Sequence, residues 1–204
     1  MIVENKITNI LIVGVGGQGV LLASELLSGA TMAAGYDVKK SEVHGMSQRG
    51  GVVTSHIKFG KKVYSPIIPY GQADFLIAFE QAEALRAVDW LKKSGWAAVS
   101  TTRLVPPIAS GGKFHYPDDP IADLKKKIGN VIAVAADQIA RELGDSRLVN
   151  TLLLGVISSR LEFGYSVWEE VIRKKIKARF VDINVKAFTR GRELAAQAGE
   201  VLRR

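Results

Sequence analysis

Residues 10–27, "ILIV" followed directly by "GVGGQGVLLASELL", decide the fold. Three of the four residues in "ILIV" are β-branched, which is typical of a strand buried on both faces of a parallel sheet. The glycine loop follows at once, and residues 20–34 predict a helix that ends before Gly35, a residue type favoured just beyond a helix C-terminus. Strand, loop and helix together predict half of a βαβ unit.

Downstream, apolar runs of strand length alternate with segments of helical character. Val53, Ser55 and Ile57 alternate with more polar residues ahead of a turn at Gly60, which predicts an antiparallel hairpin over residues 52–67. Further strands are predicted over residues 75–79, in "WAAVSTT" and in "NVIAVAA", with helices over residues 81–93, closed by Gly95, and over residues 138–143, ended by Gly144. This alternation indicates a mostly parallel sheet covered on both faces.

The second half of the chain becomes progressively more helical. Residues 103–120 hold four of the six prolines, which predicts a surface excursion rather than a domain boundary. Beyond Asn150, Ser166 and Glu169 predict a capping box, and a last helix is expected over residues 183–202. We therefore predict a single α/β domain over residues 1–204. It is a three-layer, Rossmann-like α/β/α domain with a mainly parallel sheet, an added antiparallel hairpin and a helical region from about residue 150.

Composition excludes several classes of site. The chain has no cysteine, which rules out disulfides, thiolate zinc sites, a cysteine nucleophile and cysteine-held iron–sulfur clusters. No apolar run approaches the roughly 20 residues of a membrane span, and the N-terminus lacks the long apolar region of a signal peptide. We expect a cytoplasmic protein that does not enter a membrane.

The net charge of +8 is concentrated near the C-terminus. Residues 173–204 contain ten lysine and arginine residues against three acidic ones. This region can face an acidic partner, a phosphate-bearing ligand or nucleic acid, or it can form a solvated helical surface. Charge alone does not choose between these interpretations.

The glycine loop is suited to an anionic ligand. Gly14, Gly16 and Gly19 satisfy G-x-G-x-x-G between a strand and a helix, where backbone amides and the helix dipole favour negative charge. Dinucleotide binding also requires an acidic residue at the end of the second strand, where the candidates are Asp37 and Glu42. "DVKKSEV" makes a poor buried strand, which weakens the nicotinamide interpretation. The loop can also be no more than a tight crossing from strand to helix.

A second polar loop, "EVHGMSQRGG" at residues 42–51, sets ionisable and amide side chains among glycines. Such a loop suits close approach to a polar ligand or to a partner backbone. The alternative is structural: Gly50 and Gly51 permit a bend, Arg49 pairs with a carboxylate, and His44 is an ordinary loop histidine. The histidines lack metal-binding spacing, so no metal site is predicted. The candidate site for a ligand or partner comprises Gly14, Gly16, Gly17, Gln18, Gly19, Glu42, His44, Met46, Ser47, Gln48, Arg49, Gly50 and Gly51.

Taken together, these stretches resemble the gamma-type catalytic domain of the 2-oxoacid:ferredoxin oxidoreductases. The resemblance is carried by "GVGGQGVLLASELL", the loop ending in "RGG" with the strand after it, "ADFLIAFE", "NTLLLG" and "NVKAFTRG". The form "EVHGMSQRGG" is most similar to the small (beta) subunits of indolepyruvate ferredoxin oxidoreductases. The combination of G-x-G-G-Q-G with "HGMSQRGG" is far more specific than either half.

This resemblance implies a large partner subunit that carries thiamine diphosphate, magnesium and 4Fe–4S clusters, in a heterotetramer of two large and two small chains. The assembled enzyme would oxidatively decarboxylate an aryl 2-oxoacid such as indolepyruvate with coenzyme A, giving acyl-CoA, carbon dioxide and reduced ferredoxin. The sequence is consistent with cofactors held by the partner. It has no cysteine, and Gly144-Asp145 is not followed by the asparagine pair of a thiamine diphosphate site. The glycine loop would then serve coenzyme A, a diphosphate group or the partner chain, and the isolated chain would be inactive.

Two other functions compete with this one. An independent nucleotide-binding enzyme, either an NAD-dependent dehydrogenase or an adenylating enzyme, uses a similar glycine loop but requires the acidic end of the second strand. A nucleic-acid-binding module requires aromatic residues among the basic ones, and the basic C-terminal region offers only Phe180 and Phe188. We rank nucleic acid last.

Overall fold

The apolar run at residues 10–13 lies at the centre of a six-stranded sheet. The computed structural model describes residues 6–45, 51–105 and 116–201, with the backbone alone at His44, Glu200 and Val201. The strands are β1 (Thr8–Val15), β2 (Asp37–His44), β3 (Val52–Gly60), β4 (Ala73–Ala78), β5 (Leu91–Ser100) and β6 (Val131–Val134). The helices are α1 (Val20–Ala33), α2 (Gln81–Ala87), α3 (Pro120–Lys127), α4 (Ala136–Glu142), α5 (Val149–Ser158), α6 (Tyr165–Lys175) and α7 (Val181–Val201). Short 3-10 helices cover Val88–Trp90, Ser146–Leu148 and Ala178–Phe180.

The strand order across the sheet is β2-β3-β1-β4-β5-β6. β1, β4, β5 and β6 pair in parallel, whereas β3 is antiparallel to both β1 and β2. This arrangement confirms the predicted mainly parallel sheet with an antiparallel addition. The crossover from β1 to β4 leaves the glycine loop at the carboxyl edge, in the middle of the sheet, where open α/β sheets bind ligands.

Alternate residues of β1 enter two separate cores, because successive side chains of a strand point to opposite faces. Ile10 and Ile12 pack in the core formed with α1 and α4–α7. Leu11 and Val13 pack in the core formed with α2 and α3. The sheet between two helical layers confirms the predicted α/β/α architecture.

The antiparallel hairpin forms between β2 and β3, so the prediction of a hairpin over residues 52–67 is wrong. β2 contains "DVKKSEV", whose few apolar residues suffice because it is an edge strand that pairs with β3 alone. After Gly60, backbone N–H groups donate hydrogen bonds to side chains instead of to a neighbouring strand. The Val63 N–H donates to Asp37 at 2.9 Å, and the Ile68 N–H donates to Nδ1 of His56 at 3.2 Å.

Two helix predictions also need correction. The helix expected over residues 81–93 ends at Ala87, because β5 begins at Leu91 to pair with β4, and Gly95 lies inside that strand. The predicted capping box at the start of α6 is wrong, since Gly164 is the N-cap residue and Glu169 accepts a hydrogen bond from Arg173 at 2.8 Å. The bounds of α1, α4 and α7 agree with the predicted helices to within a few residues.

The motifs "NTLLLG" and "NVKAFTRG" end in glycines that lie at the crossing of α5 and α7. A Cβ built on Gly155 would lie 2.1 Å from the carbonyl oxygen of Phe188. A Cβ built on Gly191 would lie 2.0 Å from the carbonyl oxygen of Leu152. Both glycines are therefore required for the two helix backbones to touch. None of the helices in the described ranges combines the length and the hydropathy that a membrane-spanning segment requires.

Candidate functional site

The glycine loop is held in shape by the side chain of Gln18. The Val15 N–H donates to Oε1 of Gln18 at 2.7 Å, and Nε2 of Gln18 donates to the carbonyl of Phe79 at 2.9 Å. The Gln18 N–H also donates to the carbonyl of Val15 at 3.1 Å, which closes a tight turn. One side chain thus fixes the turn after β1 and joins it to the end of β4.

The last glycine of the loop is required for two reasons. Gly19 has a φ of 84°, in the left-handed region that favours glycine. A Cβ at this position would also lie 2.6 Å from Nδ2 of Asn150, the first residue of "NTLLLG". Gly19 is the N-cap residue of α1, so the close approach of Asn150 lies beside the unpaired amides of the first helical turn.

The structure brings the two predicted loops together. The Gly16 N–H donates to the carbonyl of Gly51 at 2.9 Å, and the Gly45 N–H donates to the carbonyl of Val52 at 2.8 Å. The β2–β3 hairpin therefore places the two ends of the second loop beside the glycine loop. The candidate residues Met46, Ser47, Gln48, Arg49 and Gly50 lie outside the described residues, as does the side chain of His44.

Neither candidate acid is placed to bind a ribose. β2 lies at the edge of the sheet and is separated from β1 by β3, whereas a dinucleotide fold places its second strand next to the first. Glu42 accepts hydrogen bonds from Ser24 at 3.1 Å and from Lys40 at 3.1 Å. Asp37 lies at the start of β2, away from the glycine loop, and accepts from Lys39. Both carboxylates therefore bond to side chains of the fold, and the place of Glu42 in the candidate site stays a prediction.

A cavity of about 380 Å³ opens beside the glycine loop. Its lining combines the loop and α1 with the segment after β5, with α4, with the 3-10 helix Ser146–Leu148 and with α5: Gly17, Gln18, Gly19, Leu22, Thr102, Leu104, Asp137, Ser146, Arg147, Val149 and Asn150. We call this space the glycine-loop cavity. Thr102, Asp137, Arg147 and Asn150 were not predicted as site residues. Asn150 could have been found, since it begins the motif "NTLLLG". The other three residues lie in segments near the edge of the sheet and belong to no sequence motif.

Arg147 gives the glycine-loop cavity a positively charged wall. Its guanidinium binds Asp145 through two nitrogens, at 2.9 and 2.5 Å, and this contact holds the pKa of Asp145 near 2. Arg147 and Arg179 both lie over the ring of Phe180, at 4.9 and 4.7 Å from its centroid. The aromatic contact and the carboxylate together orient an exposed guanidinium at the cavity mouth.

Glu80, the last residue of "ADFLIAFE", organises the backbone that follows β4 and β5. Glu80 is buried, caps α2 by accepting from the Glu83 N–H at 2.9 Å, and accepts from the Leu104 N–H at 3.2 Å. The Tyr116 hydroxyl also donates to Glu80, and burial together with this contact raises the pKa of Tyr116. Glu80 therefore anchors the chain on both sides of residues 106–115.

The chain does not fit the redox groups of the family that it resembles. Its sequence contains no cysteine to hold a cluster. Among the residues that the structure describes, no group of three histidine, aspartate or glutamate side chains could hold a metal ion. The Gly-Asp pair that could begin a thiamine diphosphate motif is Gly144-Asp145, and Asp145 accepts a hydrogen bond from Arg147.

One face of the β2–β3 hairpin is not covered by a helix in the described chain. Val43 and Val52 are 56% and 38% exposed on this face. They line an apolar groove of about 410 Å³ with His56, Trp90 and the side of α2. The groove lies next to the second loop, since Val43 belongs to that loop and Val52 follows it directly.

Comparison with protein families decides the classification. The model of the family described as "Pyruvate ferredoxin/flavodoxin oxidoreductase" matches residues 9–194. The chain belongs to this family. It is 41% identical over 187 residues to the indolepyruvate oxidoreductase subunit IorB of Archaeoglobus fulgidus, and the match covers 90% of this chain and 92% of that subunit.

Solved structures show the same fold. The gamma subunit of a keto/oxoacid ferredoxin oxidoreductase from Geobacter sulfurreducens matches with a TM-score of 0.69 and 23% identity, over 93% of this chain and 99% of that one. The 2-oxoglutarate:ferredoxin oxidoreductase from Magnetococcus marinus, solved with 2-oxoglutarate, coenzyme A and succinyl-CoA bound, matches with a TM-score of 0.72 and 22% identity. That match covers 95% of this chain and 32% of the longer one.

Membership of the pyruvate ferredoxin/flavodoxin oxidoreductase family confirms the predicted resemblance and the oxidoreductase class. It does not favour an independent nucleotide-binding enzyme, in agreement with the place of β2 in the sheet. The chain is a subunit of an oxidoreductase rather than a whole one.

Proposed function

We propose that this chain is the cluster-free small subunit of an indolepyruvate or related aryl 2-oxoacid ferredoxin oxidoreductase. The observation that carries the proposal is the near full-length similarity to the Archaeoglobus fulgidus subunit, at 41% identity. The reaction is the oxidative decarboxylation of the 2-oxoacid with coenzyme A to acyl-CoA and carbon dioxide, with the two electrons passed to ferredoxin. The proposed assembly contains two large and two small chains.

The large partner supplies the redox chemistry in this proposal. A cluster needs thiolate ligands, and this sequence has no cysteine, so the 4Fe–4S clusters belong to the partner. Thiamine diphosphate with magnesium, which stabilises the carbanion left by decarboxylation, is assigned to the partner as well. The exposed apolar face of the β2–β3 hairpin supports contact with that partner, because a monomer rarely leaves such a groove open.

The contribution of this chain is to bind coenzyme A at the shared site. The glycine-loop cavity offers the unpaired amides at the start of α1 and the guanidinium of Arg147, both suited to phosphate oxygens. Coenzyme A is the only substrate of the reaction that carries phosphate groups. We assign Gly17 and Gly19, which line the cavity, to the close approach of its phosphates, with Gln18 holding the loop and Gly16 joining it to Gly51.

Arg147 provides the sharpest test of this assignment. Arg147→Gln should raise the KM for coenzyme A about tenfold in the assembled enzyme, because a charged hydrogen bond to phosphate is lost, and leave the KM for the 2-oxoacid unchanged. Arg190→Gln is the matched control, since Arg190 is an exposed arginine paired with Glu193. Equal KM values for coenzyme A in the parent and in both variants would show that coenzyme A does not bind in this cavity.

Arg49 extends the proposed site into the second loop. A fixed guanidinium binds phosphate or carboxylate in a bidentate manner that lysine does not copy. Both Arg49→Lys and Arg49→Ala should therefore fold and assemble but lower kcat/KM. Parent-like turnover by both variants would take Arg49 out of the site.

The proposal as a whole is tested by purifying the tagged chain from its native cell. We expect a larger, brown, cysteine-rich subunit to accompany it in equal amount, together with thiamine diphosphate. A colourless chain that emerges alone with bound nucleotide would support the nucleotide-binding enzyme instead.

A further inference from the structure

A second cavity lies at the opposite edge of the sheet, where β1, β4 and β5 begin. Its volume is about 500 Å³, within the range of small-molecule sites. β1 separates it from the glycine loop by about 23 Å, at roughly 3.3 Å per residue. We call it the strand-start cavity, the space bounded by Thr8, Phe75, Trp96 and Arg160.

The walls of the strand-start cavity are rich in aromatic rings. Tyr36, Phe59, Phe75 and Trp96 all line it. Phe59 is 4% exposed and is fixed by an edge-on contact with Tyr36, whose ring centroid lies 5.3 Å away. Rings held in this way favour a flat apolar body over a sugar or a polyphosphate.

The charges around the cavity favour an anion. Both of its carboxylates are already paired: Glu162 with Lys6 at 2.6 Å, and Asp74 with Lys92 at 2.6 Å. Asp74 also accepts from the Asn9 N–H at 2.8 Å. Lys61 makes no ion pair with any residue that the structure describes, and the described part of the lining has four basic side chains against two carboxylates.

Arg160 joins the aromatic and the cationic parts of the lining. Its guanidinium carbon lies 3.5 Å from the centroid of the Trp96 ring. A guanidinium stacked on a ring keeps its N–H donors at its edges, where they match the two oxygens of a carboxylate. The stack presents an apolar surface and hydrogen-bond donors side by side.

We propose that the strand-start cavity binds a small aromatic carboxylate, with its ring among Phe75, Phe59 and Trp96 and its carboxylate on Arg160 and Lys61. The ligand is recognised by a flat ring and one negative charge a short distance apart. The site is separate from the glycine-loop cavity and does not depend on the function proposed for it. Occupancy would therefore be observed on the full chain without its partner.

Calorimetric titration of the full chain with phenylacetate tests the proposal. We expect saturable binding of one molecule per chain. Acetate, which has the charge without the ring, and phenethylamine, which has the ring with the opposite charge, should each bind at least about tenfold more weakly. Absence of saturable phenylacetate binding, or equal binding of either control compound, would overturn the proposal.

Substitutions locate the binding. Lys61→Gln and Arg160→Gln should each weaken phenylacetate binding about tenfold, because each removes one charged hydrogen bond. Lys174→Gln, at an exposed lysine of α6, is the matched control and should bind like the parent. Lys61 is exposed, so its variant remains informative if Arg160→Gln unfolds the chain. Parent-like binding by Lys61→Gln, or equal weakening by Lys174→Gln, would place the ligand elsewhere and contradict the assignment.

Discussion

The side-chain amide of Gln18 donates to the carbonyl of Phe79 at 2.9 Å and so joins the glycine loop to the end of β4. The same side chain accepts from the Val15 N–H at 2.7 Å. The turn after β1 and the end of the segment "ADFLIAFE" are thus joined through the side chain of Gln18. The shape of the glycine loop depends on a contact between segments 61 residues apart.

Gln18→Ala removes both of these hydrogen bonds. We expect the free energy of unfolding to fall by about 2 kcal/mol, because the Val15 N–H and the Phe79 carbonyl lose their partner. The KM for coenzyme A in the assembled enzyme should rise as well. Gln138→Ala is the control, since Gln138 is exposed on α4 and bonds only to Glu142 in the described chain. Denaturant titration of both variants measures the difference, and equal stability would refute the bridging role.

We expect Gly19→Ala to introduce both backbone strain and a steric clash. Gly35 has a φ of 87° and would meet nothing within 4 Å, so Gly35→Ala carries the strain alone and should cost about 1 kcal/mol. Gly19→Ala should cost more, because its new Cβ would lie 2.6 Å from Nδ2 of Asn150. Adding Asn150→Ala should recover part of the loss. Matching losses of stability in Gly19→Ala and Gly35→Ala would mean that Asn150 has room to move.

Gly191→Ala should separate two helices. Its Cβ would lie 2.0 Å from the backbone carbonyl oxygen of Leu152, which no side-chain rotation can relieve, so we expect a loss of about 3 kcal/mol or more. Gly199→Ala lies in the same helix with nothing within 4 Å and should be neutral or stabilising by up to about 1 kcal/mol. Thermal unfolding monitored by circular dichroism compares the two. A mild effect at Gly191 would contradict the close crossing of α5 and α7.

Because His56 is buried, we expect the folded state to lose stability in mild acid. Burial lowers the pKa of His56 below its usual 6.5, and the neutral ring accepts a hydrogen bond from the Ile68 N–H. The folded state therefore favours the neutral form, so its stabilising contribution is complete above pH 6.5 and is lost as the pH falls from there toward the folded pKa. His56→Gln should flatten this part of the stability profile.

Denaturant titrations between about pH 7.5 and 5.5 measure that profile. Glu83, in the same groove, has a pKa raised by burial and acts in the opposite sense, but it is present in both chains and cancels in the comparison. Parallel profiles for the parent and His56→Gln would show that His56 does not titrate in this range.

The sequence predicts best where local chemistry and tertiary packing agree. β1, its glycine loop and α1 follow from a contiguous apolar run, closely spaced glycines and a helix that ends at Gly35. The sequence did not predict that β2 forms the hairpin with β3, because an edge strand needs no apolar run and its pairing is set by the tertiary structure. β5 begins within a segment of helical composition because β4 offers a parallel partner from Ala73 onward.

The candidate residues were chosen from two loops that are each contiguous in the sequence. The structure joins these loops by the hydrogen bond of 2.9 Å between Gly16 and Gly51, a contact between distant segments that the sequence does not predict. Arg147 and Asp137 enter the glycine-loop cavity from α4 and the segment after it, so no spacing in the sequence relates them to the loop. The roles of Met46 to Gly50 stay predictions, as does the single domain over residues 1–204.

The most direct test of the central claim is reconstitution from separately purified subunits. The rate of viologen reduction with indolepyruvate and coenzyme A is measured for this chain, for the large subunit and for their mixture. The account predicts no rate with this chain alone, little with the large subunit alone, and a full rate that saturates at equal amounts of the two. Full activity of the large subunit alone, or NAD reduction by this chain alone, would contradict it.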